Sequence, residues 1–289
     1  MQYKQVATIR GGQDGAIFNN ILFRFDAGGR AWAFSLEDVT ENVPVPVLLS
    51  PIAEFRLDAL DRIVPHCNAV TFGREYWEEG DDFPLLYANL YNNYANSTDR
   101  QEGTVCVYRL QRSGAGFVTT LVQVIRVGFT GDRSLWMSLD GQGDVRPYGN
   151  FVVDASGNKL YAFVMRDAEH ITRFFTFDLP GARDGEFEEK TGVNCVTLTP
   201  DDIRARFDGP YMRYMQGACC HEGRIWSVEG FSGGSENPPA LRVFDMQTSR
   251  EILYDCMPDH GLDLEAEFID FRGSDCLYSD CKGNVYLVQ

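Results

Sequence analysis

Along the chain, polar and apolar positions either alternate or gather into apolar runs of roughly five to eight residues bounded by Gly, Asn and Asp. That is the spacing of strands with one or both faces buried. Helical spacing is confined to two short stretches. One is Ile52–Arg62. The other is Pro200–Phe207, where Thr199 can cap and Pro200 fits the first turn. Both predict short helices in an otherwise all-β chain.

One hairpin pattern recurs five times. The copies are GAIFNNILFRFDAGGRAWAF from Gly15, NAVTFGREYWEEGDDFPLLYANL from Asn68, NFVVDASGNKLYAFVM from Asn150, GACCHEGRIWSVEGF from Gly217 and EFIDFRGSDCLYSDCKGNVYLV from Glu267. Each opens on a small or polar residue, continues as a short apolar strand and turns at Gly, Asn or Asp. A second strand follows, centred on an aromatic anchor: Phe23, Tyr87, Tyr161, Trp226 and Tyr278. Third strands are expected at TVCVYRL, ITRFFTFDLP and ALRVFDM. Fourth strands are expected at VPVLLSPI, FVTTLVQVIRVG, KTGVNCVTLT and REILYDC.

Four-stranded units repeated in this way resemble the blades of the β-propeller superfamily, over nearly the whole chain. The resemblance rests on the recurring hairpins, since no WD dipeptide or Asp-box repeats. It implies a single domain over residues 1–289 with five blades around an axis. A sixth blade would need Ser134–Ser138, or the loop-rich region before Val47, to form another unit. A two-sheet sandwich is the alternative without a ring. The last copy reaches only three strands by Gln289, while Lys4–Ile9 is strand-like and unassigned. Closing the last blade with that N-terminal strand leaves no open sheet edge.

Composition narrows the partners. With 42 acidic and 26 basic residues the net charge is −16, which repels phosphate backbones and anionic lipid. Neither nucleic acid nor a membrane is therefore expected as a partner. No apolar run is long enough to span a bilayer, and Met1–Gly12 lacks the apolar core of a secretion signal. The 8 cysteines form no CxxC pair, and Cys106 and Cys195 sit inside apolar runs as small hydrophobes. A soluble, cytoplasmic monomer is expected, or a secreted or periplasmic one if a leader was removed. There is no GxSxG elbow, P-loop or HExxH motif.

In a propeller the first strand of every blade lines the axis, so the residues that open those strands meet at one mouth. Here they are Asp14, His66 with Asn68, Tyr148 with Asn150, Gln216, and Glu267 with Glu265 nearby. Arg146 and Arg213 precede two inner strands and could clamp a carboxylate. Three chemistries suit such a ring. Binding of a sugar or other small polar ligand asks least: Asn68, Asn150 and Gln216 would satisfy hydroxyls, while Tyr148, Tyr211, Tyr214 and Trp77 stack on rings.

Acid–base hydrolysis needs two carboxyl groups, Asp14 and Glu267, with His66 available as a base. Similarity to five-bladed glycosidases of the arabinanase type implies acids opening successive inner strands. This chain departs from that plan at His66 and Asn150. Similarity to lactonase-like propellers implies calcium or magnesium held by Asp14, Asn150 and Glu267. A protein-interaction scaffold using the rim is the remaining class.

Overall fold

A computed structural model describes residues 1–90, 103–127, 150–166, 171–233 and 236–289. Strand β1 (Tyr3–Thr8) precedes the first blade, formed by β2 (Gly15–Phe18), β3 (Ile21–Phe25), β4 (Arg30–Ser35) and, after β5 (Val47–Leu48), β6 (Ala53–Arg56). The second blade holds β7 (Val70–Phe72), β8 (Leu86–Leu90), β9 (Thr104–Ser113) and β10 (Gly116–Val127). The third holds β11 (Phe151–Asp154), β12 (Lys159–Arg166) and β13 (Ile171–Asp178). After β14 (Glu186–Glu188) and β15 (Val193–Leu198) it is completed by β16 (Ala205–Pro210). The fourth holds β17 (Met215–His221), β18 (Arg224–Glu229), β19 (Ala240–Asp245) and β20 (Arg250–Cys256). The fifth holds β21 (Ala266–Arg272), β22 (Asp275–Asp280) and β23 (Asn284–Val288), and is closed by β1.

The inner strands β2, β7, β11, β17 and β21 touch one another in cyclic order. The chain is thus a five-bladed β-propeller. Between each pair of neighbouring sheets lies one hydrophobic cluster, five in all, and one of them packs Val6, Phe268 and Leu287 of the fifth blade against Leu22, Trp32 and Phe34 of the first. Successive residues of one strand therefore enter different cores. Leu22 faces the fifth blade and Phe23 the second; Leu160 faces the second blade and Tyr161 the fourth. A strand buried on both faces needs apolar side chains at every position, which is why the sequence shows runs as well as alternation.

Closure follows the expected route. Tyr3 pairs with Val288 and Thr8 with Asn284 in an antiparallel ladder between β1 and β23. All five aromatic anchors lie on second strands. The expected fourth strands hold only at β10 and β20. In VPVLLSPI, Val47 and Leu48 pair in parallel with β1 of the fifth blade. The first blade instead takes β6 as its outer strand, inside the stretch expected to be helical. Period two wins there because Phe55 enters the core between the first and second blades while its neighbours point outward.

Similarly, VNCVTL joins the second blade in parallel with β10, and β16 takes the expected place in the third. Of the expected helix Pro200–Phe207, the helical part is Pro200–Asp202, a 3-10 turn whose Asp202 carboxylate accepts from the Thr199 N–H at 2.8 Å. Phe207 then stacks on Phe174 with ring centroids 4.7 Å apart, which fixes the segment as a strand. The segments Ser134–Ser138 and Tyr91–Thr98 lie outside the described residues. Among the described residues no helix is long and apolar enough to cross a membrane. All eight cysteines are free thiols.

Phe23 is fully buried, with edge-on contacts to Phe55, Phe72, Phe83 and Phe117 from 5.1 to 6.2 Å. Phe23→Ala empties the centre of that cluster and should cost about 3–5 kcal/mol. Guanidinium chloride unfolding read by near-ultraviolet circular dichroism checks this; a shift under about 1 kcal/mol would show that the blades do not share this core.

Candidate functional site

Each inner strand pairs on one edge with the second strand of its blade and turns the other edge to the axis. Backbone groups on that open edge have no strand to bond, and leaving them bare in the interior is costly. Side chains from other blades satisfy several of them. Asp14 of the first blade accepts from Val70 N–H of the second at 3.0 Å and from Ala218 N–H of the fourth at 3.4 Å, both on Oδ2. Its own N–H donates to Cys67 O at 3.0 Å.

Asn89 of β8 donates to Asn68 Oδ1 at 2.9 Å and to Asn150 Oδ1 of the third blade. Asn150 Nδ2 donates onward to Met215 O of the fourth blade at 3.2 Å. Asp270 of the fifth accepts from Ile17 N–H of the first at 2.6 Å. The ring is thereby stitched across its axis. Gly217 permits the close approach: a Cβ there would stand 3.0 Å from Asp14 Oδ1 and from Glu267 O.

The expected residues do gather at this end of the axis, but in two layers. Asp14, Asn68 and Asn150 are buried and hold the strands together. Around them lie half-buried groups that reach solvent. Gln216 donates to Glu265 Oε1 at 2.6 Å, Gln13 donates to Glu267 Oε1 at 3.5 Å, and the His66 backbone N–H donates to Asn89 O at 3.1 Å. Glu267 bridges the layers, 5% exposed, with Oε2 unpartnered.

Beneath Glu267 sits Arg24 of β3, fully buried, its Nη2 donating to Gly12 O at 2.9 Å. Desolvation lowers the Arg24 pKa, while Glu267, Asp14 and Asp280 pull it back up. Desolvation pushes the Glu267 carboxyl up to about 8 against the pull of Arg24, and raises Asp14 well above the usual range. It also lifts Asp270 to about 7 and lowers His66, which is therefore a neutral imidazole at pH 7.

Other expected contacts fall elsewhere. Tyr148 and Arg146 lie outside the described residues. Arg213 turns away from the axis, donating to Glu236 O, and lines a separate cavity between the outer strands of the third and fourth blades. Tyr211 lines the same cavity. Trp77 is on the flank of the second blade under the Arg183 guanidinium, 3.9 Å from its ring centre. Tyr214 packs on Phe231 at 4.6 Å. Glu229, which closes a second strand in the sequence, is a buried partner of Arg242 at 2.7 Å.

Asp14, Asn150 and Glu267 make a poor set of donors for calcium or magnesium. Asn150 Oδ1 and Asp14 Oδ2 are already hydrogen-bonded, and the Arg24 guanidinium supplies the positive charge beside the carboxyl groups. Among the described residues no three His, Cys, Asp or Glu side chains converge as metal ligands.

The sequence reading missed Asn89, Arg24 and Asp270. Asn89 and Arg24 each interrupt an apolar strand alone, in LYANL and ILFRF, and Asp270 follows the opening Glu267 inside EFIDF. That interruption was the available signal.

No protein-family model matches the chain, and no curated protein does. Among solved structures, the crystal structure of Myxococcus xanthus glutaminyl cyclase is 13% identical, with a TM-score of 0.50, over 100% of this chain and 94% of its own. A Thermus thermophilus protein described as a putative oxidoreductase (glucose dehydrogenase) is 11% identical, with a TM-score of 0.45, over 99% of this chain and 98% of its own. At 13% identity the first of these is a likeness of fold alone.

The layered mouth makes stability depend on pH. In the folded chain Glu267 and Asp270 keep protons that the unfolded chain releases near pH 4–4.5, so folding stability falls as pH rises from about 4.5 to 8. Glu267→Gln should flatten that slope, raising the melting temperature by roughly 3 °C at pH 8 and leaving it unchanged at pH 4; a uniform shift at both pH values would refute the assignment. Asp14→Ala strips two inner-strand N–H groups of their acceptor and should cost about 2–4 kcal/mol. Asp14→Asn keeps an acceptor oxygen for both, so urea unfolding should place it close to the parent chain.

Proposed function

We propose that the axial mouth binds a small, uncharged, polar ligand, and that a sugar is the chemistry it fits. The observation that supports this best is Glu267, almost buried at the floor of the mouth, with its carboxyl pushed up to about 8 by desolvation. At neutral pH it is a carboxylic acid, both donor and acceptor. Gln13 donates to it, Gln216 donates to the neighbouring Glu265, and the neutral imidazole of His66 precedes the inner strand of the second blade. Mixed donors and acceptors of this kind match hydroxyl groups.

The same protonated Glu267 supports a second reading, acid–base hydrolysis of a glycoside or lactone, since a general acid must hold its proton near neutral pH. Asp14 is a poor partner for that role because it is fully buried and committed to Val70 and Ala218. His66 is the better candidate base.

Titration calorimetry with a panel of neutral mono- and oligosaccharides at pH 6 and pH 9, run beside chromogenic glycoside and lactone assays, separates the two. For a binder, Gln216→Ala should weaken affinity roughly tenfold. Affinity should fall above pH 8 in the parent chain but stay level in Glu267→Gln. For a hydrolase, Glu267→Gln should abolish turnover while leaving binding, and the rate should decline as pH rises through 8. If no sugar binds and rim substitutions alone alter partner recovery, the scaffold reading replaces both.

A further inference from the structure

The cavity that receives Arg213 has no part in the axial mouth, yet it is a built site. It measures about 430 Å³ and is lined by Pro210, Tyr211, Arg213, Arg242, Glu251 and Tyr254. Arg242 is 6% exposed and locked: it grips Glu229 through Nε and Nη2 at 3.1 and 2.7 Å, and Glu251 through Nη1. Its guanidinium also covers the Tyr254 ring at 4.5 Å. Tyr254 is 43% exposed, so a rigid aromatic platform is held in place with much of its surface still open.

Arg213 is different. Its Nη1 donates to Glu236 O, and among the described residues Nε and Nη2 make no further hydrogen bond. In a chain of net charge −16, one exposed guanidinium edge beside an exposed tyrosine ring selects a narrow class of ligand. The Nε and Nη2 fork is the geometry that takes a carboxylate two-handed. The tyrosine face takes the C–H face of a sugar or an aromatic ring. Glu251, bound to Arg242 through Oε2, keeps Oε1 as an acceptor for a hydroxyl. Two carboxylates, Glu229 and Glu251, balance the two arginines here, which disfavours a phosphate dianion.

We propose that this cavity is a second carbohydrate site, selective for a hexuronate: a pyranose ring carrying one carboxylate. The ring lies on Tyr254, its carboxylate pairs with Arg213, and a hydroxyl reaches Glu251. Arg213 and Gln216 of the axial mouth are three positions apart in the chain, so their Cα atoms are at most about 11 Å apart. The two sites are thus carried by neighbouring positions of one chain segment. As a subsite of one glycan track, the cavity rests on the sugar-binding reading of the axial mouth; as a uronate site it stands independently.

The test is saturation-transfer NMR and titration calorimetry on the full chain. The probes are methyl glucuronide, methyl glucoside, benzoate and inorganic phosphate, applied to the parent, Arg213→Ala, Tyr254→Leu and Gln216→Ala. Arg213 is exposed, so its variant should keep the parental circular dichroism. Methyl glucuronide should bind the parent and weaken about tenfold or more in Arg213→Ala, the loss expected for a charge-assisted hydrogen bond. Tyr254→Leu should also weaken it. Methyl glucoside should show no dependence on Arg213.

Glucuronide binding that ignores Arg213, or benzoate or phosphate binding more tightly than glucuronide, would overturn the proposal. If glucuronide depends on Arg213 while no sugar responds to Gln216→Ala, the axial reading falls and the rim site stands. If sugars respond to Gln216→Ala alone, the reverse holds.

Discussion

Five strands that meet edge-on at an axis cannot pair with one another, and the rest of this molecule is arranged around that constraint. Their inward-facing backbone groups are buried, and side chains serve them. Asp14, Asn150 and Asp270 do so, each reaching from one blade into another, and Asn89 holds Asn150 through its side chain. Hydrophobic clusters between the sheets supply most of the burial, but they are non-directional. The polar stitching at the axis fixes which blade sits beside which, and in what register.

The same constraint explains why structure and chemistry overlap at one mouth. Carboxyl groups placed to serve backbone N–H groups are removed from water, and desolvation keeps Glu267 and Asp270 protonated into the neutral range. Arg24 limits the charge that accumulates there. A destabilising residue at the surface of such a cluster is a familiar trade between stability and function. Glu267 is the group on which the two demands meet: it touches solvent, lacks a full set of partners and depends on its neighbours for its proton.

The ring was legible in the sequence because repetition is robust. Five aromatic anchors in five hairpins survive any error in single strands, and the unassigned Lys4–Ile9 segment had only one useful place to go. Outer strands were less legible. An outer strand is held mainly along one edge, so VNCVTL satisfies its pattern equally well on the second blade or the third, and nothing local decides between them. In Ala53–Arg56 one buried phenylalanine outweighs a helical spacing. The axial residues were legible as polar openings of inner strands, which identified Asp14, Asn150 and Glu267. The pattern could not say whether a polar side chain turns inward to serve the backbone or outward to meet a ligand. That depends on the rotamer and on blades far away in sequence, as Arg213 shows by leaving the axis altogether.

The pairing of Tyr3 with Val288 has a kinetic meaning. It is among the contacts of greatest sequence separation in the chain, and loop-closure entropy must be overcome before it forms. On a ribosome the first strand emerges long before its partner exists and waits as an unpaired edge, with Lys4 exposed upon it as a deterrent to wrong neighbours. The blade that seals the circle is therefore the one that must assemble last, and conditions that slow synthesis prolong the interval in which another chain can take its place.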